Sequence, residues 1–289
     1  MKRTALLLCF LALAGSAAAQ APAPAPAGPA AAAPGAAPGA PGGRGAPGAP
    51  PRPQNPATPY DVNDHPGWTS MFDGKTLKGW DGPMDVWRVE NGNITASETP
   101  ENPQGSVYLY WTGGKVKNFE FKTEIKTEGE GSNSGIQFRA IRLGKIDKKN
   151  SEYESRGYQA DYTDTGGAVG SLIECCMGPR RGLPPRAGDS ARRGTVVRTA
   201  LAEGQHPTML ATIGDPADLL KFFRMGDWNE IHLIVRGGVM MYLVNGHLMS
   251  VLIEDNPNPY TDMGEIAVQL EGRPPTKVSF RNMWIKQLP

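Results

Sequence analysis

The chain has 289 residues, with 30 Lys and Arg against 29 Asp and Glu. Residues 1–59 hold four of the bases and no acid, which leaves 26 bases against 29 acids in residues 60–289. A slightly acidic domain lacks the clustered cations that nucleic acid demands, and about 230 residues suffice for one sizeable core.

Met1-Lys2-Arg3 makes a basic start, Ala5 to Ala14 an apolar run and Ala17-Ala18-Ala19 a small-residue cleavage pattern. Residues 1–19 therefore read as a signal peptide, and the chain as exported, periplasmic or extracellular. The apolar run is short for a bilayer and no later stretch is longer, so the mature chain is expected to carry no transmembrane segment. Residues 20–59 contain 14 Ala, 13 Pro and 7 Gly. Proline donates no backbone hydrogen bond, glycine is costly to order and alanine buries little area, so this stretch is expected to be a disordered, partly polyproline II spacer. Residues 60–289 are left as the globular domain.

From residue 86 onward, short alternating runs are separated by Gly, Pro, Asn and Asp. They predict strands over Val86 to Glu90, Ser106 to Trp111, Asn118 to Thr127, Ser134 to Ile141 and Tyr158 to Tyr162. Five more follow over Glu230 to Arg236, Val239 to Val244, Leu248 to Ile253, Glu265 to Glu271 and Lys277 to Ile285. Asn245-Gly246 between two apolar runs predicts a type I′ hairpin, and Asp73-Gly74 and Asn91-Gly92 read as similar turns. Only Pro216 to Arg224 resembles a helix. Many strands without helical crossovers predict an all-β fold, an antiparallel two-sheet β-sandwich. Gly170 to Gly214 reads as rim loops carrying Arg180, Arg181, Arg186, Arg192, Arg193 and Arg198. Those arginines either contact anionic or ketone oxygens or keep the loops solvated. Cys175 and Cys176 are adjacent, and neighbours bridge only across a distorted peptide unit; they read as small apolar residues in an unstapled fold.

No Gly-rich phosphate loop, His-x-x-x-His pair or Gly-x-Ser-x-Gly elbow is present. What remains is a set of polar side chains projected by alternation. If Ile136, Phe138 and Ala140, with Tyr158, Ala160 and Tyr162 and with Ile266, Val268 and Leu270, face the core, the opposite face receives others. Those are Glu124, Arg139, Gln159, Asp161, Gln269 and Glu271. Carboxylates, amides and a guanidinium on one face suit a hydroxyl-rich ligand; the plainer reading is a set of ordinary solvated strand positions.

Several segments, in order, resemble the 3-keto-disaccharide hydrolase family. Trp68 to Trp80 matches its "LFDGKTLxGW" opening, Asn118 to Ile125 its "xFxLxxEF" strand, and Asn133 to Arg139 its "NSGIxxR" element. Gly226 to Glu230 resembles "GxWN", Val244-Asn245-Gly246 the "xNG" hairpin, and Ser279 to Met283 the closing "FRNI". The resemblance covers roughly residues 67 to 287. It implies a jelly roll of the concanavalin A-like lectin/glucanase type with sugar chemistry on its concave face. The glutamate of the family's "ExQ" element falls on Gly157 and the histidine of its "LQxHG" element on Glu271. Asp161, two residues past Gln159, offers a carboxylate on the same face.

The resemblance implies an exported hydrolase acting on 3-keto-glycosides or related disaccharides. The route is base-assisted elimination and hydration, or direct hydrolysis by paired carboxylates. Glu271, Asp161 and Glu124 are the candidate catalytic residues, and Arg139, Gln159, Gln269, Asn133 and Trp228 the candidate sugar contacts. The three carboxylates are also the candidate ligands of a hard divalent cation, calcium or magnesium. The alternative is a non-catalytic, lectin-like carbohydrate-binding module on a flexible tether.

Overall fold

The computed structural model describes residues 66–144, 151–175, 190–201 and 205–289. The leader over 1–19, the spacer over 20–59, Cys176 and Arg180, Arg181 and Arg186 lie outside the described residues. Tyr60–Pro289 clusters as one compact unit.

Seventeen strands are described. The first eight are β1 Thr69–Ser70, β2 Trp80–Asp81, β3 Trp87–Glu90, β4 Asn93–Glu98, β5 Val107–Trp111, β6 Phe119–Glu128, β7 Ser132–Arg142 and β8 Ser155–Thr163. Next come β9 Leu172–Cys175, β10 Ser190–Ala191, β11 Thr195–Arg198, β12 Thr208–Thr212 and the helix α1 Pro216–Leu220. The series closes with β13 Asn229–Arg236, β14 Val239–Val244, β15 His247–Ile253, β16 Glu265–Gly272 and β17 Thr276–Gln287. One sheet runs β12-β11-β15-β14-β13-β6-β17-β4-β3, with β1 beside β17; the other runs β10-β9-β8-β7-β16-β5-β2. All pairings are antiparallel except that of β11 with β15. The expected two-sheet jelly-roll sandwich is the fold.

Alternation is what builds it. Along β6 every second residue is buried, from Phe119 through Thr127, while Glu120 to Lys126 on the other parity stay half-exposed. The buried set meets Ile136 and Phe138 of β7 and Val268 and Leu270 of β16 in one core. Across the sandwich Phe119 packs edge-on against Phe138, which stacks on Tyr158. Such aromatic pairs add about 0.5–1.5 kcal/mol each beyond the area they bury. The Asn245-Gly246 hairpin forms with positive φ at both residues, 49° and 80°, as a type I′ turn requires, and so does Asn91-Gly92. Asp73-Gly74 differs. The Asp73 carboxylate accepts the amides of Lys75 and Thr76, a side-chain-closed turn that joins no hairpin. Those bonds hold its pKa down at about 2.

Two expectations are corrected. Residues 170–214 are not all loop: β9 to β12 fall there, hidden in the sequence because two to five residues show too little alternation to be recognised. Cys175 is disulfide-bonded, so it is not a free apolar thiol.

Candidate active site

The outer face of the seven-stranded sheet, away from the core, carries a polar network centred on β7. Asp161 and Gln159 come from β8, Gln269 and Glu271 from β16, Asn133 and Gly135 from β7, and Tyr108 from β5. These strands are neighbours in the order β8-β7-β16-β5, although they lie far apart in the chain. Gln159 donates from Nε2 to Oδ1 of Asp161 at 2.7 Å and to Oε1 of Gln269 at 3.1 Å. Gln269 donates in turn to Oε2 of Glu271 and to the Tyr108 and Ser106 hydroxyls, each at 3.0 Å. Asn133 adds a second donor to Glu271, also at 3.0 Å. Two carboxylates are therefore bridged by two amides, with every amide proton aimed at an acceptor.

The bridge needs a gap in the middle strand. A Cβ on Gly135 would lie 2.8 Å from Cγ and Nε2 of Gln159, so only glycine lets the amide cross β7. Gly157, where the resemblance places a glutamate, is equally crowded: a Cβ there would lie 2.8 Å from the carbonyl oxygen of Phe138. That position cannot present a carboxylate, and Asp161 is the one that β8 supplies.

Asp161 pairs in register with Gly135, and Glu271 with Asn133. Two strand spacings and two residues of offset put their Cα atoms about 12 Å apart. The carboxylates thus act on each other through the field, not by sharing a proton. Burial raises the Asp161 carboxyl from 3.8 to about 6; the Gln159 bond opposes this, and the Glu271 charge adds to it. Tyr108 is pushed far above its ordinary 10, mainly by burial, and stays a neutral hydroxyl.

A cavity of about 490 Å³ opens beside Asp161, lined also by Ser171, Ile173, Ser190, Arg192 and Arg193. At the other end of the face, Tyr110 donates to the carbonyl of Tyr153 and lies under the Arg142 guanidinium, 4.1 Å away. Arg142 is held by Glu265 and Asp81. The sulfur of Cys175 lies 3.2 Å from Oε1 of Gln159, at the back of the network.

Asp161, Glu271, Gln159, Gln269 and Asn133 thus converge. Three expected members do not. Glu124 stands on the ten-stranded sheet, where it pairs with Arg281 and accepts from Asn282. Trp228 lies there too, under Arg281, whose guanidinium is 4.1 Å from its ring. Glu124 obeys alternation, but alternation fixes a face within a sheet, not which sheet; Trp228, expected from the resemblance alone, precedes β13. Arg139 departs for another reason. One extra residue is inserted in β7 between Phe138 and Ile141, and Arg139 there adopts φ 49°. Parity reverses, so Ala140 joins Tyr108, Tyr110 and Ala267 on the outer face instead of the core. The buried Arg139 guanidinium donates to the carbonyls of Lys117 and Gly237. It is a strut, out of reach of a sugar.

The expected cation site fails with Glu124. Among the described residues no three His, Cys, Asp or Glu side chains are grouped as a metal would require. The "GxWN" asparagine is also structural: buried Asn229 bonds the Tyr162 hydroxyl and the Arg224 and Asp227 carbonyls, and fixes the loop before β13. Ser106 and Tyr108 lay outside the expected sugar contacts, and Arg192 stood undistinguished among six rim arginines. The first two share the parity of Tyr110 along one short strand, which is a readable signal; Arg192 carries none.

Residues 67–286 match the 3-keto-alpha-glucoside-1,2-lyase-like domain. A 3-keto-disaccharide hydrolase of Bacteroides thetaiotaomicron is 31% identical over 98 residues, which is 31% of this chain and 33% of the relative. The match thus spans about a third of that curated relative. Among solved structures, a Bacillus subtilis carbohydrate-binding module aligns at 10% identity and TM-score 0.40, covering 76% of this chain and 96% of the module. A Bacillus subtilis protein of galectin-like fold aligns at 13% and 0.43, covering 73% and 90%. The family match takes in nearly all of the described sandwich, from the turn before β1 to the last strand, and the chain belongs to the 3-keto-alpha-glucoside-1,2-lyase-like domain family.

Proposed function

We propose that this chain is an exported, carbohydrate-active hydrolase that cleaves 3-keto-glycosides by proton abstraction, elimination and hydration. Family membership supports the substrate class, and the basic start, apolar run and small-residue pattern of residues 1–19 support export to the periplasm or beyond. The observation that carries the chemistry is a half-buried carboxyl, its pKa raised to about 6, lining a sugar-sized cavity.

A ketone at C3 acidifies the proton on C2. Asp161, ionised at neutral pH yet more basic than an ordinary aspartate, takes that proton, and the electron pair moves to O3 as an enolate. The enolate re-forms the ketone and expels the glycosidic oxygen from C1, which takes up a proton. Water then adds across C1 and C2, hydroxyl to C1 and proton to C2, so that the net change is hydrolysis. Gln159 orients Asp161, and its bond favours the ionised carboxylate that a base must present at neutrality. Glu271, held by Gln269 and Asn133, supplies the fixed negative charge that adds to Asp161 basicity.

The test is incubation of the purified chain with a 3-keto-glycoside and with the corresponding ordinary glycoside. Release of aglycone from the keto form alone, abolished in Asp161→Asn, is expected. Equal cleavage of the ordinary glycoside, or undiminished turnover by Asp161→Asn, would refute the mechanism.

A further inference from the structure

Abstraction at C2 leaves a charge on O3, and a buried site must supply something positive to meet it. Arg139, the guanidinium expected among the sugar contacts, is withdrawn into the fold. Two arginines line the cavity beside Asp161, adjacent in the chain at the turn from β10 into β11. They differ in what their guanidinium groups do. Arg193 donates to the carbonyls of Pro216, Gly166 and Val169, at 2.9, 2.7 and 2.5 Å, and so pins the turn against two neighbouring segments. The turn is closed further by Thr195, whose amide and hydroxyl both reach the Arg192 carbonyl, at 3.0 and 2.7 Å. Arg192 is thereby presented from an anchored backbone. Its side chain is exposed, and no hydrogen bond or ion pair holds its guanidinium among the described residues.

The groups that act on Asp161 are its own burial, Gln159 and Glu271, and none is a cation. Arg192 therefore shares the cavity with Asp161 without pairing to it. A carboxylate and an unengaged guanidinium lining one cavity of about 490 Å³ supply the two groups that enolisation needs. We propose that Arg192 is the cation that meets the charge developing on the C3 oxygen of the substrate, in the cavity it shares with Asp161. This rests on the function proposed above.

The experiment uses the full chain with Arg192→Gln, Arg192→Lys and Arg192→Ala, a 3-keto-glycoside as substrate, and two readouts. One is aglycone release; the other is exchange of the C2 proton in deuterated water, followed by NMR. Because the side chain is exposed, all three variants should keep the wild-type thermal midpoint. Arg192→Gln should lose about 10²–10³-fold in kcat and in C2 exchange together, the usual cost of removing one oxyanion donor. Arg192→Lys should retain part of both rates, and millimolar methylguanidinium should restore part of the Arg192→Ala rate. Wild-type kcat in Arg192→Gln, a rise in KM alone, or no response of Arg192→Ala to methylguanidinium would overturn the assignment while leaving the proposed function intact. If the wild type neither releases aglycone nor exchanges the C2 proton, the proposed function itself fails, and this assignment with it.

Discussion

A base held at the wrong pKa for its surroundings costs stability, and Asp161 makes that cost measurable. Burial lifts its carboxyl from 3.8 to about 6 in the folded chain. At about 1.4 kcal/mol per pH unit, ionising it inside the fold is dearer than in the unfolded chain by about 3 kcal/mol. The folded state binds this proton more tightly, so stability is lost as pH rises from about 4 through about 6, and the loss is complete above that. Asp161→Asn keeps an oxygen to accept from Gln159 and cannot ionise. It should therefore be inactive and yet more stable than wild type, by up to about 3 kcal/mol at pH 8, with the gap closing to nothing near pH 4. Urea unfolding of both proteins between pH 4 and pH 8 measures it. A gap independent of pH, or an Asp161→Asn protein less stable at pH 8, would refute the claim that burial sets this carboxyl.

Three further outcomes follow from the same contacts. Gln159→Leu removes the bond that opposes the burial effect, so the acid limb of the rate profile should move above its wild-type position near pH 6; a charge-assisted bond of about 1.5–3 kcal/mol corresponds to about one to two pH units. Gly135→Ala drives a methyl into Gln159 and should lower kcat at least about tenfold with a stability loss of about 1–3 kcal/mol, read by steady-state kinetics beside thermal melts. Arg139→Ala strands the carbonyls of Lys117 and Gly237 and should cost about 2–4 kcal/mol in urea unfolding, while the activity of the protein that remains folded is kept.

Much of this was legible in the sequence, and the failures have identifiable causes. Long strands such as β6 and β13 announced themselves by alternation, since a half-buried strand must expose every second side chain. The same rule brought Gln159, Asp161, Gln269 and Glu271 to one face. It misplaced Glu124 because period two says nothing about which of two sheets a strand joins. Arg139 was misplaced because a single inserted residue leaves no mark in a hydrophobic pattern. Arg192 sits in a turn, where periodicity has nothing to offer, and the arginines around it hid which one faces a cavity. Gly135 and Gly157 looked like ordinary strand glycines; only the backbone and amide pressed against them show why nothing larger stands there.

The extra residue in β7 gives that strand two jobs in succession. Upstream of it, Asn133 and Gly135 furnish the floor of the groove; at it, Arg139 turns inward and bolts the segments before β6 and between β13 and β14 to the opposite sheet. Excising one residue there would swap the two tenants, sending Ala140 back among the phenylalanines and a bare guanidinium out beside Tyr108 and Tyr110. The outer face would gain a charge as the sandwich lost its latch, so this one insertion ties the joining of the two sheets to the chemical character of the face outside them.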